Sequence, residues 1–311
     1  MFFSMAQETQ EPLLMDAAMA ASLIRPREAD SHKGTYGHAL LVAGSRGMAG
    51  AALMASRACL RSGVGLLTVA VPECNRIIQQ TAVPEAMAWV SGDDQLEAIP
   101  ADFSRYTAVA AGPGLGRIDW ERLSAPLSSL PDTIPCVLDA DALNALSCSA
   151  VLSDSPSDSA VDGRKGVCLG GSCLMTPHPG EFDRLLHAAG MGTYDAARRA
   201  AQASAFAARY GVYVVLKGHR TVVAAPDGRL SVNTTGNAGM ATGGSGDVLT
   251  GILLALCAQG YPLWDAARLG VYVHGLAGDL AAVVLGEVAL TACDIIGYLP
   301  AAWQRLTASR S

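Results

Sequence analysis

The sequence predicts an α/β fold, a single domain with a mostly parallel central sheet and helices on both faces. Three observations carry this. Short apolar runs alternate with longer helical stretches along the whole chain, which is the pattern of repeated βαβ units. Glycine or polar clusters close nearly every apolar run, placing turns where strands hand over to helices. Half of the 311 residues are hydrophobic, 16% are charged and 33 are glycine, a composition suited to close helix–sheet packing.

Residues 1–30 read as a loosely held lead-in with one alanine-rich helix over 16–23. The domain proper is expected over 31–305. A polar segment at 31–37 enters a strand at 38–43, the glycine turn 44–50 follows, and a helix at 51–62 leads to a strand at 65–71. Strand, turn, helix and strand make a parallel βαβ unit. Residues 72–105 mix short helical and loop pieces. A strand at 106–111 ends in the glycine turn 112–116, and one at 135–138 ends in Asp-Ala-Asp at 139–141, where a helix starts. Residues 148–172, rich in Ser, Asp and Gly, read as an exposed insert. A strand at 173–176 ends in Pro-His-Pro-Gly-Glu at 177–181, and helices follow over 181–187 and 194–210. The strand 213–216 ends in Lys-Gly-His-Arg-Thr at 217–221. Residues 221–225 and 229–233 form a hairpin turned by Pro-Asp-Gly at 226–228. Helices after Asp247, over 266–280 and from Thr291 complete the chain.

The formal net charge of −6 argues against a nucleic-acid binder. Eight cysteines form no CxxC pair and no Cys/His cluster, so reduced, mostly buried thiols are expected rather than zinc or disulfides. Residues 1–11 lack the basic-then-apolar pattern of a secretory signal. The apolar runs read as too short or interrupted for a membrane span. A cytoplasmic protein is expected.

The densest motif is residues 233–247, with five glycines leading directly into an apolar helix. A helix start offers main-chain N–H groups without intrahelical partners and the positive end of the dipole. Gly243, Gly244, Ser245 and Gly246 are therefore expected to form an anion hole, most naturally for phosphate. Asp247 at its rim suits a base that takes the proton of a hydroxyl attacking that phosphate. No GxxxxGK[ST] pattern and no GxSxG elbow occur, and the turn after the first strand lacks GxGxxG spacing. Polar turns at strand ends are where open α/β sheets bind ligands. There Asp139 and Asp141 suit either water-mediated Mg²⁺ or helix capping. His178, fixed between two prolines, suits a structural role or a ligand contact equally. Glu181 suits a first helical turn, and Lys217 either solvent or a phosphate.

Taken together, Lys33-Gly-Thr-Tyr-Gly37, Ala43-Gly-Ser45, Gly50-Ala-Ala52, Gly112-Pro-Gly114, the Asp139–Asn144 and Thr176–Phe182 stretches, Leu216-Lys-Gly218 and the 237–247 loop resemble the ADP/ATP-dependent NAD(P)H-hydrate dehydratase family. The resemblance runs over about residues 30–305 and implies a ribokinase-like fold. It implies that Ala51, Gly114, His178 and Asp247 contact hydrated NADH or NADPH, with Asp247 catalytic. It implies that Lys217, Gly218, His219, Arg220, Thr221 and Gly246 adjoin the adenine nucleotide. ADP (or ATP) as co-substrate and Mg²⁺ follow, with Asp139, Asp141 and Glu181 as the metal candidates. The chain departs from the family pattern in the 148–172 insert. It also lacks the epimerase domain often fused at the N-terminus, so it reads as the stand-alone form, which favours ADP, with a separate epimerase on the same pathway. A homo-oligomer, a tetramer in particular, is expected, and neither nucleic acid nor membrane as partner. Rival readings are a vitamin-precursor kinase on the same fold and a non-catalytic nucleotide sensor.

Overall fold

The structure, a computed structural model, describes residues 12–153 and 173–309. Most of the expected insert, and the N-terminal stretch read for a secretory signal, lie outside the described residues. Ten strands form one sheet: β1 (Leu13–Met15), β2 (His38–Val42), β3 (Leu66–Val71), β4 (Met87–Val90), β5 (Ala108–Ala111), β6 (Cys136–Leu138), β7 (Cys173–Met175), β8 (Tyr213–Leu216), β9 (Val222–Ala224) and β10 (Leu230–Asn233). Their spatial order is β1-β10-β9-β8-β7-β6-β5-β2-β3-β4. Every pairing is parallel except β8 with β9 and β9 with β10. The expected hairpin is present. Arg229 O accepts from Ala225 N at 2.9 Å across its turn.

Both faces of the sheet are buried, which is why its strands read as continuous apolar runs rather than alternating ones. Side chains still alternate along each strand. On β2, Ala39 and Leu41 enter one core while Leu40 and Val42 enter the other. Over the first face lie α1 (Ala17–Leu23), α2 (Ala49–Arg61), α8 (Ser245–Ala258), α9 (Leu263–Leu285) and α10 (Ala292–Ala308). Over the second lie α4 (Trp120–Leu127), α5 (Ala140–Cys148), α6 (Pro179–Ala188) and α7 (Arg199–Tyr210). Helix α3 (Glu73–Ala82) packs beside α2 and the edge strand β4.

Three parts of the sequence reading change. The lead-in supplies β1, which pairs with β10 in register Leu14 to Val232, so residues 13–23 belong to the sheet and its helical layer. The stretch read as mixed loop holds α3 and β4. Among the described residues, α9 is long and apolar enough to cross a membrane, with mean hydropathy 1.3 over its best window. It is a core helix here, since 61% of that window is buried, against α8 and α10.

The topology brings the polar turns that follow the parallel strands to one edge. Strands β2 to β8 run parallel, so the ends at 44, 112, 139, 177 and 217 share that edge. Strand β10 runs the same way, so Asn233 delivers the glycine loop there too.

Candidate active site

A cavity of about 750 Å³ opens along this edge, lined by Asp139, His178, Lys217 to Thr221, Asn233, residues 235–238, residues 244–247 and His274, among others. Helix α8 begins at its wall. Gly244 stands at φ +92°, a left-handed conformation that costs glycine little. A Cβ there would run into the Met54 thioether. Ser245 N donates to Thr242 O at 3.4 Å, and the next two amides, of Gly246 and Asp247, lie in the first turn, where no intrahelical carbonyl takes them.

Asp247 is partly buried on that turn. Burial pushes its pKa up to about 7, the neighbouring Asp139 adds to the rise, Lys217 opposes it, and Asp141 and Glu181 raise it further. A carboxylate poised near neutrality suits a general base. Lys217 is the cation among these acids. Its Nζ donates to Asp139 Oδ1 at 2.7 Å and lies 3.7 Å from Glu181 Oε2. Burial would lower the Lys217 pKa, but Asp139 and Glu181 outweigh it and hold it above the usual lysine value. The other Asp139 oxygen accepts from Thr250 Oγ1 at 2.7 Å, tying this network to α8.

His178 caps α6. Its Nδ1 accepts from Gly180 N at 3.0 Å and Glu181 N at 3.3 Å, while Glu181 Oε2 accepts from His178 N at 2.8 Å. With Nδ1 so used, the neutral ring carries its proton on Nε2, 3.3 Å from Glu181 Oε1. His178 thus has a structural role as the α6 cap and also lines the cavity wall. The 217–221 turn is held from outside by Arg199, which donates to His219 O at 2.9 Å and Leu216 O at 3.0 Å.

The cavity therefore gathers Asp139, His178, Lys217, Gly218, His219, Arg220, Thr221, Gly244, Ser245, Gly246 and Asp247. Gly243, Ala51, Gly114, Asp141 and Glu181 are not in its wall. Ala51 and Gly114 face each other, since a Cβ on Gly114 would lie 2.9 Å from that of Ala51. Asp141 accepts from Gly116 N at 2.8 Å and lines a neighbouring cleft of about 600 Å³. Of the three metal candidates, Asp139 and Glu181 meet at Lys217 while Asp141 turns to Gly116. Asp139 is taken by Lys217 and Thr250, Asp141 by Gly116, and Glu181 by the α6 cap. Among the described residues no group of three or more His, Cys, Asp or Glu is set to hold a metal ion.

Sequence reasoning missed Thr250, Asn233, Asn237, His274 and Asp279. Except for Asn233, whose side chain bonds to nearby Thr235, their contacts lie far apart in the chain, such as Thr250 with Asp139. It also missed two strained positions in the wall. Ala140 and Arg220 have φ of +46° and +56°, unusual for non-glycine residues and commonest at functional sites.

Comparison with known proteins agrees with this geometry. The family model described as NAD(P)H-hydrate dehydratase matches residues 39–301. The ADP-dependent (S)-NAD(P)H-hydrate dehydratase of Neisseria meningitidis serogroup B is 36% identical over 302 residues, covering 92% of this chain and 94% of that protein. The bifunctional NAD(P)H-hydrate repair enzyme of Moorella thermoacetica is 40% identical over 296 residues, covering 92% of this chain but 53% of that protein. The chain thus spans about half the length of such bifunctional relatives. Among solved structures, the Bacillus subtilis ADP/ATP-dependent NAD(P)H-hydrate dehydratase co-crystallised with ATP and Mg²⁺ superposes with a TM-score of 0.77 at 33% identity, covering 95% of this chain and 99% of that one. Ribokinase of Cryptococcus neoformans, at 14% identity and a TM-score of 0.57, shares the fold alone. On this sequence match and this ribokinase-like architecture, the chain belongs to the NAD(P)H-hydrate dehydratase family.

Proposed function

We propose that the chain restores NADH and NADPH from their (S)-hydrates, consuming ADP and releasing AMP and phosphate. The observation that carries this reading is the placement of Asp247, a half-buried carboxylate whose pKa burial raises to about 7, in the first turn of α8 at the cavity wall. The hydrated ring bears a hydroxyl at C6, and hydroxide is a poor leaving group where phosphate is a good one. Asp247 takes the hydroxyl proton as the C6 oxygen forms its bond to the terminal phosphorus and the bridge to AMP breaks. The amides at the start of α8, those of Gly246 and Asp247 among them, stabilise charge growing on the transferred group. Lys217, held at the cavity wall by Asp139, adds a fixed positive charge. The ring nitrogen then expels phosphate, the adjacent carbon loses a proton, and the reduced ring returns. His178, which lines the cavity, is assigned to the substrate side, together with Ala51 and Gly114, on the resemblance to the family.

Mg²⁺ bound to nucleotide phosphates supplies charge neutralisation. Among the described residues no side-chain cluster is set to cage it, so the ion would arrive on those phosphates. The seven cysteines among the described residues are all unpaired, which fits the reducing cytoplasm. Val283, Val284 and Val288, strongly exposed at the end of α9, suit burial against further copies in a homo-oligomer such as a tetramer. A separate epimerase would supply the (S) form of the hydrate.

Incubation with chemically hydrated NADH, Mg²⁺ and either ADP or ATP tests the reading. Return of the reduced-nicotinamide absorbance, with free phosphate in equal amount, is expected. A phosphorylated product that accumulates would indicate the kinase reading instead, and nucleotide binding without consumption the sensor reading.

A further inference from the structure

The glycine loop of residues 233–247 has little secondary structure of its own, yet it must hold its amides in place. What shapes it is one face of α9. Thr235 Oγ1 donates to Tyr272 O at 2.9 Å. Gly236 N donates to Asp279 Oδ2 and Asn237 Nδ2 to Asp279 Oδ1, each at 2.9 Å. Gly275, between them, lets the loop come against the helix, since a Cβ there would lie 2.7 Å from the Thr235 carbonyl carbon. At the far end of the loop, His274 Nε2 lies 3.3 Å from Ser245 Oγ, and both residues line the cavity.

We propose that His274 is a positioning residue for nucleotide binding, acting through Ser245. Its Nε2–H donates to the Ser245 hydroxyl oxygen, which leaves the hydroxyl hydrogen free to point at the terminal phosphate. Ser245 then serves as a side-chain donor beside the main-chain amides of the anion hole. This assignment needs an uncharged ring with its proton on Nε2. Burial holds His274 at a pKa of about 4, with Lys217 adding to the depression against an opposing main-chain hydrogen bond to Ser245. The ring is therefore neutral at physiological pH, with one N–H to give, and the 3.3 Å approach of Nε2 to Ser245 Oγ is where the proposal places it. The inference rests on the nucleotide-binding reading above and adds to it a residue outside the glycine motif. Neither the loop pattern nor the Asp247 chemistry calls for it.

Calorimetric titration with ADP and Mg²⁺ tests the proposal on the full chain and four variants: His274→Leu, His274→Gln, Ser245→Ala and the His274→Leu/Ser245→Ala double variant. Glutamine keeps an N–H donor at about the reach of Nε2. Losing one hydrogen bond to a charged phosphate should weaken ADP binding by about tenfold in His274→Leu and in Ser245→Ala. The double variant should bind no more weakly than Ser245→Ala alone, and His274→Gln should stay within about threefold of the parent. An equal further loss on adding His274→Leu to Ser245→Ala would overturn the proposal, as would His274→Gln binding as weakly as His274→Leu. Should the leucine variant not fold, unchanged binding by Ser245→Ala would overturn it by itself. No ADP binding by the parent chain would sink the functional reading too, whereas equal binding by all forms would sink this inference alone.

Discussion

Replacing Asp247 by asparagine keeps shape and most hydrogen bonding while removing the group that accepts a proton. Loss of a positioned base lowers rates by about 10²–10⁴-fold, or about 3–5 kcal/mol of transition-state stabilisation. ADP should still bind, since the amides of the α8 start are untouched and a negative charge beside the phosphate is gone. The same substitution has an opposite effect on stability. The folded pKa of Asp247 is raised from 3.8 to about 7, chiefly by burial. A carboxyl whose folded pKa is raised contributes stability that is complete below its unfolded pKa and lost as pH rises through the folded one. The window therefore lies between about pH 4 and pH 7, and the difference amounts to at most about 4 kcal/mol. Asp247→Asn should have an almost unchanged urea midpoint near pH 4 relative to the parent and a higher one at pH 8. In the parent, kcat/KM should climb through an apparent pKa near 7 as the base ionises. Turnover of Asp247→Asn within tenfold of the parent would refute the base assignment. So would a variant that is less stable than the parent at pH 8.

Other perturbations read other links of the same network. Lys217→Met leaves Asp139 and Glu181 as buried acids without their cation and should cost about 3–5 kcal/mol in denaturant unfolding. Lys217 also lowers the Asp247 pKa, so residual activity in that variant should shift to higher pH. Thr250→Val removes the donor to Asp139 Oδ2 and should cost about 1–3 kcal/mol, with Thr250→Ser recovering most of it. Gly275→Ala forces the 233–247 loop off α9 and should weaken ADP binding far more than Gly190→Ala, whose Cβ meets no neighbouring atom; equal effects would remove α9 as the loop's support.

The regular parts of this fold were legible because local sequence and global topology agree. Strands β2, β5, β6, β7 and β8 are apolar runs closed by glycine or polar turns, and the parallel sheet puts those turns on one edge. Strands β1 and β4 were missed for a shared reason. Both are short edge strands, with Leu14 and Met87 substantially exposed, so neither shows the buried run that marks a central strand. Helix α4 escaped because Pro126 interrupts its pattern, although the last helical turn tolerates it here. The site divides the same way. Asp247 and the glycine loop are contiguous in sequence and could be read together. The partnership of Asp139 with Lys217 spans 78 residues and that of Asp139 with Thr250 spans 111, and only folding reveals which acid meets which donor. That is why Asp139 looked as good a metal ligand as a capping residue. His274, a lone histidine within an apolar helix, carries no local mark separating it from a core residue.

The central claim is that the C6 oxygen of the hydrate leaves as part of the released phosphate. Hydrated NADH carrying a heavy oxygen isotope in that hydroxyl, incubated with the chain, ADP and Mg²⁺, tests it in one mass spectrum of the inorganic phosphate. The account predicts one labelled oxygen in each phosphate released. Label found in water, with unlabelled phosphate, would mean that hydroxide departs directly and that Asp247 does not prepare it to receive a phosphoryl group.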